Sequence, residues 1–357
     1  MKTILHVIDS LARGGAERVV VNNIKLFTEY KHVLCLLHGP FNFIEELGDD
    51  IPVEVINFKS KLGVLTAVYR LRKIIKKYQP DIVHTHLLWS SWLVRLAKPS
   101  GLPLVSSIHS ILSKGAFNKN WHSRIIEQFT SKKTNTIITV SNAVKNDYLN
   151  HIQYKGAVET IYNFSTLKGM KRNVIRYEPG TVLKIMVVGN IIPVKNHNFL
   201  IDALSNLSEQ YLKKLKIDVY GYGELNNNYK TKVKNEKLPI TFSAATSAEL
   251  SLRYSEYDAF CMPSLYEGMP MALLEAIEAG LPLILSEIDV FRELANEHAL
   301  FFSIKNTDQL CRIIVDVIDG NIDLAKFKEK AEDLRNTFDD RERYIREHYQ
   351  VYCALLK

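Results

Sequence analysis

The stretch "MPSLYEGMPMALLEAIEAGLPLILSE", Met262–Glu287, decides the fold. It closes one short apolar run, turns through Glu267, continues as an apolar helical run halted by Gly280, and enters a second apolar run, "PLILS". Strand, helix, strand in that order is the repeating unit of a parallel sheet, whose strands can be joined only by a crossover. Pro270 suits the start of the helix and leaves the amides around Gly268, Met269 and Met271 as an anion nest. The helix "MALLEAIEAG" is apolar nearly all round except at Glu275 and Glu278, so it is buried. One solvent-facing stripe accounts for Glu278, because residues three apart share a helix face. It does not account for Glu267, held in the turn, or for Glu275, roughly two turns into the helix and within reach of a ligand over its N-terminus. Two acids so placed can hold sugar hydroxyls.

The same alternation runs along the chain. "TILHVI", "HVLCLL", "PVEVIN", "DIVHTH", "PLVSSIH" and "TIITV" recur between helical stretches in the first half, and "LKIMVVG", "KIDVYG", "PITF", "DAFCMP" and "PLILS" in the second. Many of these runs are continuous rather than alternating, as strands covered on both faces are. Two doubly wound α/β domains with parallel sheets are predicted: residues 1–164, a polar and basic linker over 165–182, and residues 183–340. Residues 341–357 form a final helix, with Tyr344, Ile345, His348, Tyr349, Tyr352 and Leu355 at helical spacing.

With 357 residues, 46% of them hydrophobic and 24% charged, the chain has the composition of a globular protein of two domains. It holds no apolar run long enough to span a bilayer and no recognisable leader, so a cytoplasmic protein is expected. Four cysteines, Cys35, Cys261, Cys311 and Cys353, form no CxxC and read as reduced, buried fillers. The net charge of +7 suits nucleic acid, anionic lipid or a phosphorylated substrate alike. Stacking motifs of RNA-binding proteins are missing, so no nucleic-acid partner is expected.

Ligands of open α/β sheets bind beyond the carboxyl ends of the strands, and those positions carry the candidates. Gly14 and Gly15, after the first strand, let backbone approach a ligand closely and open a helix whose amides suit an anion. They lack the full G-x-G-x-x-G, which speaks against a dinucleotide enzyme. Gly189, Asn190 and Lys195 follow the strand "LKIMVVG", where a cation before a helix suits a diphosphate. His84, His86 and His109 end two strands; together they could form the metal site of a hydrolase, although no carboxylate lies close in sequence to complete it. Contact of His109 with substrate is the preferred alternative, and no metal site is expected. A non-catalytic nucleotide-binding protein is the third reading.

These residues resemble a known family. "GGAERVV", "DIVHTH", "VSNAV", "IYNFS", "VGNIIPVKNHNFLIDAL", "VYGYGE" and above all "MPSLYEGMPMALLEAIEAGLP", which looks like an E-x7-E block, are similar to glycosyltransferase family 4 of the GT-B architecture. The resemblance implies two facing Rossmann-like domains, a nucleotide-sugar donor held mainly by the second, and a saccharide or lipid-linked saccharide acceptor held mainly by the first. It implies a retaining, metal-independent transferase working in bacterial surface polysaccharide synthesis, with a UDP-sugar favoured and a GDP-sugar next. The donor is a substrate, so no cofactor is expected. Carried over, Glu267 binds donor-sugar hydroxyls, Glu275 the nucleotide ribose, and Gly268, Met269, Pro270 and Met271 the sugar and phosphate. Lys195 neutralises the leaving diphosphate, His109 lies near the sugar ring, and Gly15 lies beside the phosphates. Asn190 stands where the family commonly has Arg. The C-terminal helix is expected to cross back to the first domain.

Two basic segments suggest peripheral contact with anionic membrane. The helix around "YRLRKIIKKYQP" turns Val68, Leu71, Ile74 and Ile75 inward and Arg70, Arg72, Lys73, Lys76 and Lys77 outward, which by itself is an ordinary solvated face. "SILSKGAFNKNWHSRIIEQF" mixes Phe117 and Trp121 with Lys114, Lys119 and Arg124, a combination suited to the inner face of a membrane.

Overall fold

The computed structural model describes residues 1–165, 177–338 and 340–357. Most of the expected linker, residues 166–176, lies outside the described residues. The chain forms two compact units, Met1–Asn163 with Arg341–Lys357, and Phe164–Asp340.

The first unit is built on seven parallel strands, β1 (Thr3–Ile8), β2 (Lys31–Leu36), β3 (Val53–Val55), β4 (Ile82–His86), β5 (Leu104–Ile108), β6 (Thr136–Thr139) and β7 (Ala157–Thr160), in the order β3-β2-β1-β4-β5-β6-β7. Side chains alternate across the sheet, so Leu5 and Val7 of β1 pack with Val68, Leu71, Leu93 and Val94 on one face. Ile8 packs on the other face with Val20, Val21 and Ile24 of the helix Gly15–Leu26. The second unit has six parallel strands, β8 (Leu183–Val188), β9 (Leu215–Tyr220), β10 (Ile240–Ser243), β11 (Ala259–Met262), β12 (Leu283–Ser286) and β13 (Ala299–Phe302), in the order β10-β9-β8-β11-β12-β13. One face of this sheet, through Ile185, Val187, Ile217 and Val219, packs with the helices His197–Ser205 and Thr307–Ile318.

Every strand expected from the sequence is present, and two more are found at sheet edges, β7 and β13. The helix of the opening stretch spans Met271–Glu278, with Pro270 as its N-cap in extended conformation. Gly280 takes φ +72°, a left-handed value that glycine adopts without strain, and ends it. The last helix, Arg341–Leu355, buries Tyr344, His348, Val351 and Tyr352 against the first unit. The Tyr344 hydroxyl donates to Asn23 Oδ1, and Tyr352 sets its ring edge-on to Phe27 and Tyr30. Cys35 and Cys261 are buried as expected and half-buried Cys311 packs against the second unit's core, but Cys353 is exposed on this last helix and is no core filler. Phe117 is buried, whereas Trp121, at the start of the next helix, is exposed.

One buried ion pair organises the outer half of the first sheet. Arg95 and Glu127, each 1% exposed, meet at 2.6 Å. Glu127 also accepts from Trp92 Nε1 at 2.8 Å and from the Tyr148 hydroxyl at 2.7 Å, while Arg95 Nε donates to Thr134 Oγ1 at 2.9 Å. Burial would raise the Glu127 carboxyl, but the charge and hydrogen bond of Arg95 outweigh it and hold the group below the usual carboxylate range. Removing one partner of such a pair strands a buried charge. Glu127→Ala is therefore expected to cost about 3–5 kcal/mol in urea unfolding, whereas a loss under about 1 kcal/mol would show the pair to be marginal.

Candidate active site

In the second unit, β8 and β11 are neighbours, yet the chain leaves them toward opposite wings of the sheet. Their carboxyl ends thus flank the topological switch point, where open α/β sheets bind ligands. After β8 the chain runs through Gly189 and Asn190 to a single 3-10 turn, Pro193–Lys195; Asn196, at φ 54°, then admits it to the helix His197–Ser205. After β11 it runs through Ser264 and Glu267 to Pro270. Leu265 N donates to Val194 O at 2.9 Å, binding the two loops together. Ser286 Oγ, at the end of β12, donates to Ser264 O at 2.7 Å and fixes the second loop from below.

At this junction Lys195 Nζ lies 2.6 Å from Glu267 Oε1, and Ser264 Oγ donates to the same oxygen at 2.7 Å. The side chains are 17% and 12% exposed, so the pair is less screened than one on the surface. The sequence treats Lys195 and Glu267 as separate groups for diphosphate and sugar; the structure joins them. Glycines shape the bed beneath. A methyl group on Gly221 would fall 1.9 Å from Gly189 O, and one on Gly223 2.2 Å from Ile191 O. That close approach explains "GYG" at the end of β9, and Gly189 N and Ile191 N donate to Tyr220 O and Tyr222 O across it. Asn190 sits half-buried on the bend between them.

Glu275 accepts from the Tyr254 hydroxyl at 2.7 Å, and Tyr254 is fully buried. Burial, then the neighbouring Glu275 carboxylate, pushes that phenol well above its ordinary value, so it stays a hydrogen-bond donor. Gly268, Met269 and Pro270 are buried, and Met271 is half-buried at the helix start. Leu273 N and Leu274 N bond to Pro270 O, and the amides of Met271 and Ala272 are those a helix N-terminus leaves without internal partners.

In the first unit, β1 and β4 flank the corresponding switch point. Gly14 is in ordinary extended backbone, φ −149°, and the space of its missing side chain is filled by Glu17, whose Oε2 would lie 2.3 Å from a methyl group there. Gly14 therefore makes room for an acid of its own helix, which the sequence reading did not foresee. Gly15 is the first helical residue and is exposed. Burial raises the Glu17 carboxyl to about 7, with Asp9 adding to the shift; Asp9, itself raised by burial, accepts from Ser90 N at 3.0 Å and Ser90 Oγ at 2.6 Å.

His109 follows β5, and its Nε2 lies 3.2 Å from His86 Nδ1. Burial, and secondly the charge of His348, lower its imidazole to about 4, so at neutral pH it is an uncharged hydrogen-bonding ring. A cavity of about 240 Å³ opens beside it, lined by Asp9, Trp89, Trp92, His109 and Ser110 among others. The three converging histidines are His6, His84 and His86 rather than His84, His86 and His109, because His6 on β1 stands directly beside His84 on β4.

Paired parallel α/β units with charged groups gathered at their switch points define a two-domain ligand-binding protein of the Rossmann-like class. Comparison with known proteins makes this specific. Residues 13–166 match the family described as Glycosyltransferase Family 4, and residues 174–334 that described as Glycosyl transferases group 1. The chain belongs to this family of glycosyltransferases, and its fold is GT-B. It is 26% identical over 306 residues to the capsular polysaccharide biosynthesis glycosyltransferase CapH of Staphylococcus aureus, covering 81% of this chain and 82% of that one. It is 26% identical over 359 residues to the UDP-Gal:alpha-D-GlcNAc-diphosphoundecaprenol alpha-1,3-galactosyltransferase of Escherichia coli, covering 89% and 88%. Anabaena HepE, crystallised in complex with UDP, superposes with a TM-score of 0.80 at 18% identity, over 99% of this chain and 100% of that one. The hydrolase and the non-catalytic readings are thereby set aside.

Glu17 gives this unit a pH signature. Its folded-state value of about 7 lies above the 4.5 of an unfolded glutamate, so its ionisation costs stability as pH rises through that interval. Glu17→Gln is expected to stabilise the protein at pH 8 by on the order of 2 kcal/mol and to do nothing of the kind at pH 4.5. Urea unfolding at the two pH values checks this; equal effects at both would show that the carboxyl is not perturbed.

Proposed function

We propose that this chain moves a hexosyl or N-acetylhexosaminyl residue from a UDP-sugar to a saccharide or lipid-linked saccharide, with retention of configuration and no metal at the diphosphate. The observation that carries this reading is the Lys195–Glu267 pair at the β8/β11 switch point, beside the helix that begins at Met271. Displacing a nucleoside diphosphate develops negative charge on its oxygens. A diphosphate carries more charge than one carboxylate, so Lys195 is poised to exchange Glu267 for the leaving group, and the amides of Met271 and Ala272 add to it. Glu267, released from the lysine, then accepts from donor-sugar hydroxyls. Glu275, oriented by Tyr254, holds the ribose, and the Gly268–Met271 backbone follows the sugar and phosphate. Asn190 supplies hydrogen bonds where the family commonly supplies a second cation, so more of the charge falls on Lys195.

In this mechanism the acceptor hydroxyl attacks from the face that the diphosphate leaves. The C1–O bond to the diphosphate breaks as the new glycosidic bond forms, and a phosphate oxygen takes the hydroxyl proton. Neutral His109 hydrogen-bonds the sugar, and the cavity beside it belongs to the acceptor side. Support for UDP comes from the Escherichia coli UDP-Gal transferase and from the UDP complex of HepE, and support for polysaccharide synthesis from CapH.

Among the described residues no helix is long and apolar enough to cross a membrane. We propose instead that the helix Trp121–Thr130 rests on anionic lipid at the cytoplasmic face. Trp121, Ile125 and Phe129 form a stripe four residues apart and are 64%, 42% and 67% exposed, flanked by exposed Lys119, Arg124, Lys132 and Lys133. Replacing all three apolar residues by serine is expected to abolish co-flotation with vesicles containing phosphatidylglycerol while leaving the melting temperature unchanged. Flotation equal to the wild type would remove this face from the proposal.

The donor site is tested by thermal shift with UDP-, GDP- and ADP-sugars in excess chelator. A UDP-sugar is expected to raise the melting temperature of the wild type, and Glu275→Ala to lose that shift. Lys195→Ala is expected to lower kcat about 100- to 1,000-fold while keeping the fold. Silence across the panel, or an inverted anomeric centre in the product NMR spectrum, would overturn the reading.

A further inference from the structure

We propose that the first unit binds a divalent transition-metal ion, zinc foremost, on His6, His84 and His86, a site separate from the donor diphosphate. In the parallel pairing of β1 with β4, His6 stands opposite His84, and His86 lies two residues on along the same face. All three are fully buried, and one ring nitrogen from each lies within 4.8 Å of those of the other two. Imidazole rings of His84 and His86 are stacked with centroids 4.2 Å apart.

Hydrogen bonding indicates which nitrogens are available. Phe27 O can only accept, so His32 Nε2, 2.9 Å away, carries the proton and a neutral His32 presents a lone pair at Nδ1. His6 Nε2, 3.1 Å from that nitrogen, must then be the donor, which leaves His6 Nδ1 as a bare lone pair. His6 Nδ1 has no hydrogen-bond partner among the described residues, and neither has His86 Nε2. Buried polar atoms are rarely left so, and one occupant between the neighbouring strands would satisfy both. On His86, a proton at Nδ1 directed to His109 Nε2 leaves Nε2 as the second lone pair. His84 meets the hydroxyls of Tyr352 and Ser107, both at 2.7 Å, so one accepts from its N–H while the other donates to its lone pair, and a metal on His84 would displace that donating hydroxyl.

His6 and His86 each offer an open lone pair while the other ring nitrogen is held, and His84 offers one once a hydroxyl is displaced, so each ring keeps the second hydrogen bond that orients histidine ligands in metal sites. Zinc–nitrogen bonds of about 2.1 Å in a tetrahedron place ligand atoms roughly 3.4 Å apart, so small ring rotations must draw the cluster inward. Three neutral imidazoles leave the fourth position to water or hydroxide, as in other three-histidine zinc sites. Ligation through His86 Nε2 would fix the proton on His86 Nδ1 and so make His109 Nε2 an acceptor. The ion would then act as a positioning element for His109.

The test uses the full chain, freed of any histidine tag and dialysed against chelator, titrated with cobalt(II) and then zinc. The expected result is saturation at one equivalent, with a visible tetrahedral cobalt spectrum that zinc bleaches. Zinc at about a thousand times its Kd is expected to raise the melting temperature by roughly 10 °C. His6→Phe and His86→Phe are expected to bind less than a tenth as much, and His122→Phe, altered on the surface, to bind as the wild type does. The wild-type titration decides the matter even where a variant fails to fold. No uptake at micromolar metal, uptake unchanged in a folded His6→Phe, or a zinc-soaked crystal with only water between His6 Nδ1 and His86 Nε2 would overturn the proposal.

Discussion

Parallel strands deliver all their carboxyl ends to one edge of a sheet, and everything chemical in this chain hangs from that constraint. A crossover helix must return the chain to the opposite edge before each new strand begins, so loops that follow strands collect on one side. Where the winding reverses, between β1 and β4 and again between β8 and β11, adjacent loops diverge and leave a crevice. Asp9, Glu17, Lys195 and Glu267 all stand at such crevices. Helix starts follow the same geometry: the first amides of Met271–Glu278 emerge on the edge where Lys195 already sits.

Charge balance at the second crevice follows from burial. A lysine with 17% of its side chain exposed is not left without a counter-charge cheaply, and Glu267 with Ser264 satisfies it. The pairing also holds both side chains in position, so that binding a more highly charged ligand exchanges one interaction for another instead of ordering two mobile groups. Glycines at 221 and 223 serve the same end through the backbone: the loop bearing Asn190 lies so close to the end of β9 that any side chain there would displace it. Precision at the site therefore comes from rigid strand ends, not from the loops themselves.

Much of this was legible in the sequence, for identifiable reasons. Continuous runs such as "TILHVI" and "LKIMVV" mark strands buried on both faces, and Gly280 stops its helix because the left-handed turn there favours glycine. β7 escaped because "AVET" is a half-exposed edge strand without a continuous apolar run, and β13, "ALFF", is likewise a partly exposed edge strand. The helix start at Thr246 carries a capping box with Glu249, a spacing visible in "TSAE" but passed over. Glu267, Glu275 and Lys195 could be picked out by position and residue type. Their partners could not, because Tyr254 reaches Glu275 from 21 residues earlier and Lys195 reaches Glu267 across 72. Glu17 was hidden for a related reason: a glycine pair after a strand is the pattern of a ligand loop, whereas Gly14 houses a carboxylate.

The histidine face of the first sheet is where local and global demands part most clearly. A strand covered on both faces is ordinarily a run of Val, Ile and Leu, and β1 and β4 obey this on the face that carries Leu5, Val7 and Val83. On the other face they place His6, His84 and His86 at the centre of the sheet, each fully buried. Such rings must be neutral and hydrogen-bonded, and their partners come from far along the chain: His32 from β2, Ser107 from β5, and Tyr352 from the last helix. The C-terminal helix is thus joined to the first unit by direction-specific polar contacts as well as by the packing of Tyr352 on Phe27 and Tyr30. An apolar face would have held that helix with less definition of its register, since dispersion has no direction and a hydrogen bond has one. Specificity of docking therefore gives a reason for buried polarity at this face, but it does not reach the two nitrogens at His6 and His86 that meet no partner among the described residues. Docking of the helix leaves the demand of those two atoms for a partner unmet.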